Sequence, residues 1–94
     1  QVIRQYSFDR AFMGSCGIDM MDHTVTTLGV EDGLTKKAAI ESSRHKYAVM
    51  EREKFYFNES YKFTQLDELD GIITDEFPDQ SVQDMLDSLG VTLY

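Results

Sequence analysis

Residues 71–93, GIITDEFPDQSVQDMLDSLGVTL, contain a strand, a helix and a second strand in close succession. Gly71–Thr74 is rich in β-branched residues and is followed by an acidic residue, which predicts a strand. Pro78 can begin a helix but not lie inside one, and the segment after it has apolar residues at helical spacing. These apolar residues are Val82, Met85, Leu86 and Leu89. Gly90 is typical of a helix end, and residues 91–93 predict a terminal strand.

The rest of the chain carries weaker patterns of the same kind. Residues 10–14 form a short apolar run that ends at glycine, which indicates a buried strand. Residues 31–44 place small and apolar side chains at helical spacing, with acids at the start and bases at the end, which complements a helix dipole. Residues 47–50 are a second short apolar run and predict another buried strand.

The intervening segments are less regular. We expect a loop over residues 15–19 and an extended or irregular segment over residues 20–30, while residues 61–66 alternate weakly. The order strand, helix, strand, strand, helix, strand predicts an α/β fold. We expect a Rossmann-like three-layer arrangement around a mainly parallel sheet with right-handed crossovers.

Length and charge limit the function classes. The chain has 94 residues with 17 Asp and Glu against 9 Lys and Arg, a net charge of −8. This length accommodates one domain or part of one. The charge repels nucleic-acid phosphates and anionic lipids, so we expect no direct contact with DNA, RNA or a membrane. The single cysteine, Cys16, fits a reducing cytosol. The chain begins with Gln1, and we expect it to be part of a longer protein.

The first candidate site is the segment GSCGID, residues 14–19. In open α/β sheets ligands bind beyond the carboxyl ends of the strands, and this segment follows the first predicted strand. Gly14 and Gly17 permit positive φ, so backbone N–H groups can turn toward an anion, and the Ser15 hydroxyl can donate. Asp19 can accept from sugar hydroxyls. The alternative is a tight turn in which glycine serves geometry alone.

Two further polar segments follow predicted strands. After residues 47–50, Lys54 or Arg52 would offer a cation to a phosphate, unless these residues only form a solvated charge cluster. After Gly71–Thr74, the acids of residues 74–76 can bind a hydroxylated ligand or cap the next helix.

Other chemistry is poorly supported. His23 and His45 are far apart in sequence and have no ligand partner at metal-binding spacing, so we expect no metal site. Cys16 has no specific base beside it, and we do not assign it as a nucleophile, although a lowered thiol pKa is possible near N–H groups. A set of acids fits a solvated face, because a calcium loop needs alternate-residue ligands and a closing Glu. It consists of Asp67, Glu68, Asp70, Asp75, Glu76 and Asp79.

Six blocks in register resemble the C-terminal sensor domain of DeoR-type transcriptional repressors. They are DRAFMGSCGID at 9–19, VTT at 25–27, KKAAIESS at 36–43, EKF at 53–55, LDGIITD at 69–75 and GV at 90–91. The resemblance implies a bacterial regulator whose sensor binds a phosphorylated sugar, preceded by a winged helix-turn-helix DNA-binding domain that this chain lacks. It also implies a fold similar to that of sugar-phosphate isomerases, a cytoplasmic homo-oligomer, and no cofactor.

Carried over by position, the resemblance gives a set of effector-binding residues. The phosphate would contact Gly14, Ser15, Gly17 and Lys54, and the hydroxyls would contact Asp19 and Asp32. The chain departs from the family where Asp32 and Gly33 replace Glu and Ala, and where Glu51 replaces Asp. A glycine-rich segment near the start of the sensor is also missing.

Two other functions remain open from the sequence. One is a sugar-phosphate isomerase in which Asp19 or Asp32 is the general base and Lys54 holds the phosphate. The other is an oligomerisation module that has lost its ligand.

Overall fold

The computed structural model describes residues 8–14 and 16–94, which form seven strands, two α-helices and two short 3-10 helices. The strands are β1 (Phe8–Met13), β2 (Gly17–Asp19), β3 (Thr24–Thr27), β4 (Ser43–Met50), β5 (Tyr61–Gln65), β6 (Gly71–Thr74) and β7 (Thr92–Leu93). The helices are α1 (Val30–Glu41) and α2 (Gln80–Ser88), and the 3-10 helices are Arg52–Tyr56 and Leu66–Glu68.

Four strands form a parallel sheet in the order β1-β4-β6-β7. The strand–helix–strand unit predicted at the end of the chain is β6, α2 and β7. Gly90 follows α2 with φ +78, the left-handed conformation that glycine adopts without strain. The predicted α/β class with a mainly parallel sheet is confirmed.

Three strands form a separate antiparallel sheet in the order β2-β3-β5, which the sequence did not predict. The loop expected over residues 15–19 is wrong in its second half, because Gly17–Asp19 is strand β2. All three of its residues are buried, so no alternation marked it as a strand. The turn between β2 and β3 contains His23 at φ 58, the one positive-φ residue besides glycine among those described.

The first helix is shorter than the sequence pattern indicated. It ends at Glu41, and residues 43–46 belong to strand β4 instead. Its first turn is acidic, as expected, but its last turn holds no basic residue. The reason is tertiary: Ser43 and the residues after it pair with β1, and this pairing outweighs a weak helical pattern.

One hydrophobic core joins the two sheets and both helices. Ala48, Ile72 and Phe55 are fully buried, and α2 contributes Val82 and Leu86. Within the described part of the chain, no helix is long and apolar enough to cross a membrane.

The face of the parallel sheet that points away from this core is more exposed and carries aromatic side chains. The rings of Phe12 and Tyr47 stack with centroids 5.3 Å apart. Tyr94 meets Tyr47 edge-on at 6.2 Å. Gly71 leaves room for this ring, since a Cβ there would lie 2.6 Å from it.

Candidate functional site

A cleft of about 820 Å³ opens at the carboxyl ends of the parallel strands. The ends of β4 and β6 form one wall with Met50 and Thr74, and Cys16, which follows β1, lies beside them. The opposite wall comes from the end of β3 and the first turn of α1. This is the edge of an open α/β sheet where ligands bind.

Lys54 lines this cleft from the 3-10 helix that follows β4. Its ammonium lies 3.8 Å from Glu59 Oε2 and 4.7 Å from the centre of the Phe57 ring. The side chain is 28% exposed, so the cation is partly withdrawn from solvent but still open to a ligand. The sequence had pointed to a cation at this position.

Arg52, the other cation considered for this site, points elsewhere. Its Nε donates to the carbonyl oxygen of Phe77 at 3.0 Å, and its Nη2 donates to Asp79 at 2.9 Å. These contacts attach the 3-10 helix to the residues before α2. Arg52 is therefore a connecting residue rather than a cleft cation.

Asp32 lines the cleft from the first turn of α1. Its Oδ2 accepts from the Thr27 hydroxyl at 2.5 Å and from Lys36 Nζ at 2.7 Å, and Lys36 also donates to Thr27 at 3.1 Å. The two bonds that Asp32 accepts lower its pKa, and the bond from Lys36 contributes most. Asp32 is thus an ionised acceptor held in a fixed position.

Cys16 contributes a fully buried thiol to the same cleft. Its Sγ donates to the carbonyl oxygen of Gly14 at 3.3 Å. Burial raises the pKa of this thiol from 9.0 to about 11. The lowered thiol pKa considered from the sequence is therefore wrong.

The glycine segment behaves differently from the expectation. Neither Gly14 nor Gly17 has positive φ, so the predicted anion-binding backbone geometry is not formed at them. Gly14 is exposed, and Gly17 is buried with its Cα facing the carbonyl oxygen of Phe57. Neither residue lines the cleft. Ser15 lies outside the described residues.

Asp19 is not part of the cleft lining either. Its Oδ1 accepts from the Met21 N–H at 2.9 Å, and its Oδ2 lies 3.3 Å from Lys62 Nζ and accepts from Asn58 at 3.2 Å. The N–H of Met21 is the main cause of its lowered pKa. These partners favour a role in the β2–β3 turn, and the ligand contact remains a prediction.

Thr74 and Asp75 line the cleft, as one reading of residues 74–76 suggested. Asp75 accepts from the backbone N–H of Arg52 at 3.0 Å. The alternative reading, in which these acids cap the following helix, is wrong because α2 begins at Gln80 with Asp79 at its N-cap position.

Sequence reasoning did not identify Glu59, Thr27 or Lys36 as parts of the site. Lys36 stands four residues after Asp32 on the predicted helix, a spacing that favours an ion pair and could have connected the two. Nothing in the spacing of Thr27 connects it to Asp32. Glu59 lies among the polar turn residues 58–60 just before β5 and reaches the cleft because of how β5 pairs with β3. In the part of the chain that the structure describes, no group of His, Cys, Asp or Glu is arranged to hold a metal ion.

Comparisons with known proteins find a matching family model and similar relatives. The model of the DeoR C terminal sensor domain family matches residues 1–76, which confirms the resemblance seen in the sequence blocks. This family has a sugar-isomerase-like fold. The chain is 33% identical over 91 residues to the HTH-type transcriptional repressor GlcR of Bacillus subtilis, covering 97% of the chain and 34% of that relative.

A second relative is named for the regulon that it represses. The chain is 32% identical over 84 residues to the glycerol-3-phosphate regulon repressor of Escherichia coli, covering 89% of the chain and 33% of that protein. The repressor of the same name from Shigella flexneri matches equally. The chain therefore spans about a third of the length of the curated relatives it matches.

Proposed function

The chain belongs to the DeoR C-terminal sensor domain family, and on that premise we propose that it senses a phosphorylated sugar or a related phosphorylated metabolite. The ligand occupies the cleft at the ends of β4 and β6. Its binding controls a transcriptional repressor to which this chain contributes the sensor.

The observation that carries this proposal is the pairing of a cation with hydrogen-bonding groups in one cleft. Among the described residues that line it, Lys54 is the single Lys or Arg, and it can anchor a phosphate. Asp32 offers carboxylate oxygens to ligand hydroxyls, and Thr74 adds a hydroxyl. One relative is named for a glycerol-3-phosphate regulon, which is consistent with a small phosphate ester.

DNA binding is assigned to another part of the protein. A chain with a net charge of −8 repels DNA, and the relatives named as repressors are about three times longer than the matched segment. We therefore assign the DNA contact to a separate winged helix-turn-helix domain. The ligand acts by binding one conformation or subunit arrangement more tightly than another.

The acid–base properties of the site support sensing over isomerase chemistry. A general base works best with a pKa near the operating pH. The pKa of Asp32 is lowered by Lys36 and Thr27, and that of Asp19 is lowered chiefly by the Met21 N–H. Both carboxylates are consequently weak bases suited to accepting hydrogen bonds.

Calorimetric titration with glycerol 3-phosphate, glucose 6-phosphate and fructose 6-phosphate tests this function. We expect at least one of them to bind, and Lys54→Ala to weaken that binding by about 10- to 100-fold, the loss typical of a charged hydrogen-bond partner. Lys37→Ala removes the same charge from the exposed side of α1 and should leave the affinity unchanged. Equal affinity in Lys54→Ala and the parent protein would show that the cleft is not the phosphate site.

The same ligands test the isomerase alternative. Incubation with each sugar phosphate, followed by product analysis, should show no conversion. Turnover that Asp32→Asn abolishes would replace the sensor proposal with an enzymatic one.

A further inference from the structure

Glu59 holds the only described cation of the cleft lining in an ion pair. Its Oε2 lies 3.8 Å from Lys54 Nζ, and the two side chains are 18% and 28% exposed. This separation is longer than a direct N–H···O hydrogen bond, which spans roughly 2.7–3.2 Å. Lys54 is therefore partly neutralised but retains donors for a closer partner.

The segment around Glu59 is anchored at three consecutive residues. Asn58 donates to Asp19, the backbone N–H of Glu59 donates to the buried Thr26 hydroxyl at 2.9 Å, and the Ser60 hydroxyl donates to the Leu28 carbonyl oxygen at 2.5 Å. The main chain beneath the carboxylate is thus fixed to β3 and its flanks. The main chain at Glu59 cannot leave the cleft wall without breaking these bonds, whereas its carboxylate is held, among the described residues, only by the pair with Lys54.

We propose that Glu59 is a specificity residue that competes with the ligand for Lys54, so that only a dianionic phosphoryl group displaces it. This inference rests on the proposed function of the cleft. A phosphate monoester brings two charges and three acceptor oxygens to the ammonium. A sugar acid brings one charge, the same as Glu59 already supplies, and gains little by replacing it.

The other acids of the cleft add to this specificity by disfavouring a second phosphoryl group. Glu51, Asp32 and Asp75 also line it, so the described lining carries four carboxylates and one ammonium. A second phosphoryl group would face these carboxylates without a cation of its own. The cleft therefore favours ligands with one phosphoryl group and a hydroxyl-rich body over bisphosphates.

The variant Glu59→Gln tests this directly, because it keeps the size of the side chain and removes its charge. We expect each of the three phosphate esters that binds the parent protein to bind Glu59→Gln about 3- to 10-fold tighter, the scale of a released ion pair plus relieved repulsion. Gluconate should gain measurable binding. The control is Glu53→Gln, which makes the same charge change at an exposed position of the 3-10 helix that carries Lys54. Its affinities should stay within about twofold of the parent protein.

A double-mutant cycle separates competition from general repulsion. In a Lys54→Ala background, Glu59→Gln should have little effect on phosphate affinity, because the contested cation is gone. An equal gain in both backgrounds would mean that Glu59 acts only as a distant negative charge and would overturn the inference. Melting temperatures of all variants show whether each one is folded.

The outcomes distinguish this inference from the proposed function. If one of the three phosphate esters binds and Lys54→Ala weakens its binding, but Glu59→Gln binds it no tighter than the parent protein does, only the role of Glu59 is wrong. If neither inorganic phosphate nor any phosphate ester binds to the parent protein or to Glu59→Gln, both proposals are overturned.

Discussion

Gly17 lies against the main chain of Phe57 so closely that a Cβ at this position would be 2.1 Å from the Phe57 carbonyl oxygen. The adjacent Ile18 N–H donates to that same oxygen at 2.8 Å. This contact joins β2 to the end of the 3-10 helix that carries Lys54. It therefore connects the antiparallel sheet to the cation of the cleft.

Gly17→Ala should be strongly destabilising, since backbone atoms on both sides must separate to admit the methyl group. We expect a loss of about 2 kcal/mol or more in the free energy of unfolding, measured by urea denaturation. Gly14→Ala is the matched control: no atom lies within 4 Å of its Cβ position. It should change stability by less than about 0.5 kcal/mol. Equal stability of the two variants would contradict the packing role of Gly17.

Gly33→Ala should also destabilise the protein although alanine favours helices. The new Cβ would lie 2.2 Å from the ring of Tyr61, so the ring must move. We expect a loss of about 1–3 kcal/mol from overpacking. In a Tyr61→Ala background the same change should be neutral or stabilising by up to about 1 kcal/mol, the helix-propensity difference. Thermal unfolding of the four proteins measures the coupling, and additive effects would exclude the ring as the cause.

Stability should fall in acid through the carboxylates of the β2–β3 turn. The Met21 N–H chiefly lowers the pKa of Asp19, and Lys62 chiefly lowers that of Asp22. A carboxylate with a lowered pKa stabilises the fold above its unfolded pKa of about 3.9, and this contribution is lost as pH falls through the folded pKa. Below about pH 5, the urea concentration at the unfolding midpoint should thus fall as the pH is lowered. Asp22→Asn should make this dependence on pH less steep.

The control for this pH dependence is Asp67→Asn, an exposed carboxylate on the second 3-10 helix. It should flatten the acid slope less than Asp22→Asn does. The alkaline side offers an independent check, because the pair with Asp22 raises the pKa of Lys62. That contribution is complete below the unfolded lysine pKa of about 10.4 and is lost as pH rises through the folded value.

Cys16 should resist thiol reagents in the native protein. Its pKa is raised from 9.0 to about 11 and its side chain is fully buried. At pH 8 the thiolate is roughly 100-fold scarcer than in an ordinary cysteine, and access is blocked as well. We expect labelling by Ellman's reagent to follow the rate of unfolding and to become fast in urea. Rapid stoichiometric labelling without denaturant would show that the thiol is open to the cleft.

Local patterns were sufficient for the last quarter of the chain, residues 71–93. The apolar spacing of α2 is strong, and Val82 and Leu86 are buried as that spacing requires. Strand β6 was equally clear from Gly71–Thr74. In α1 the pattern is weak, so the boundary with β4 was misplaced by residues that only pairing with β1 makes extended.

Some residues of the candidate site could likewise be predicted from the sequence, and others could not. The rule that ligands bind at the carboxyl ends of strands, together with the family resemblance, pointed to Lys54 and Asp32, and both line the cleft. Glu59 and Thr27 could not be found from spacing, because the pairing of β3 with β5 brings them to it. Gly17 was predicted to have positive φ, but the structure requires glycine there for close contact with the main chain of Phe57. The sequence cannot distinguish these two requirements.

Composition and periodicity were enough to predict an acidic α/β fold, because these features depend on each residue and its near neighbours. The motif blocks added the resemblance to the DeoR sensor family, which the family model confirms. The position of the antiparallel sheet, the burial of Cys16 and the partner of Lys54 depend on contacts between residues distant in sequence. Such contacts form only when the strands pair, so tertiary structure alone gave the cleft its charge balance.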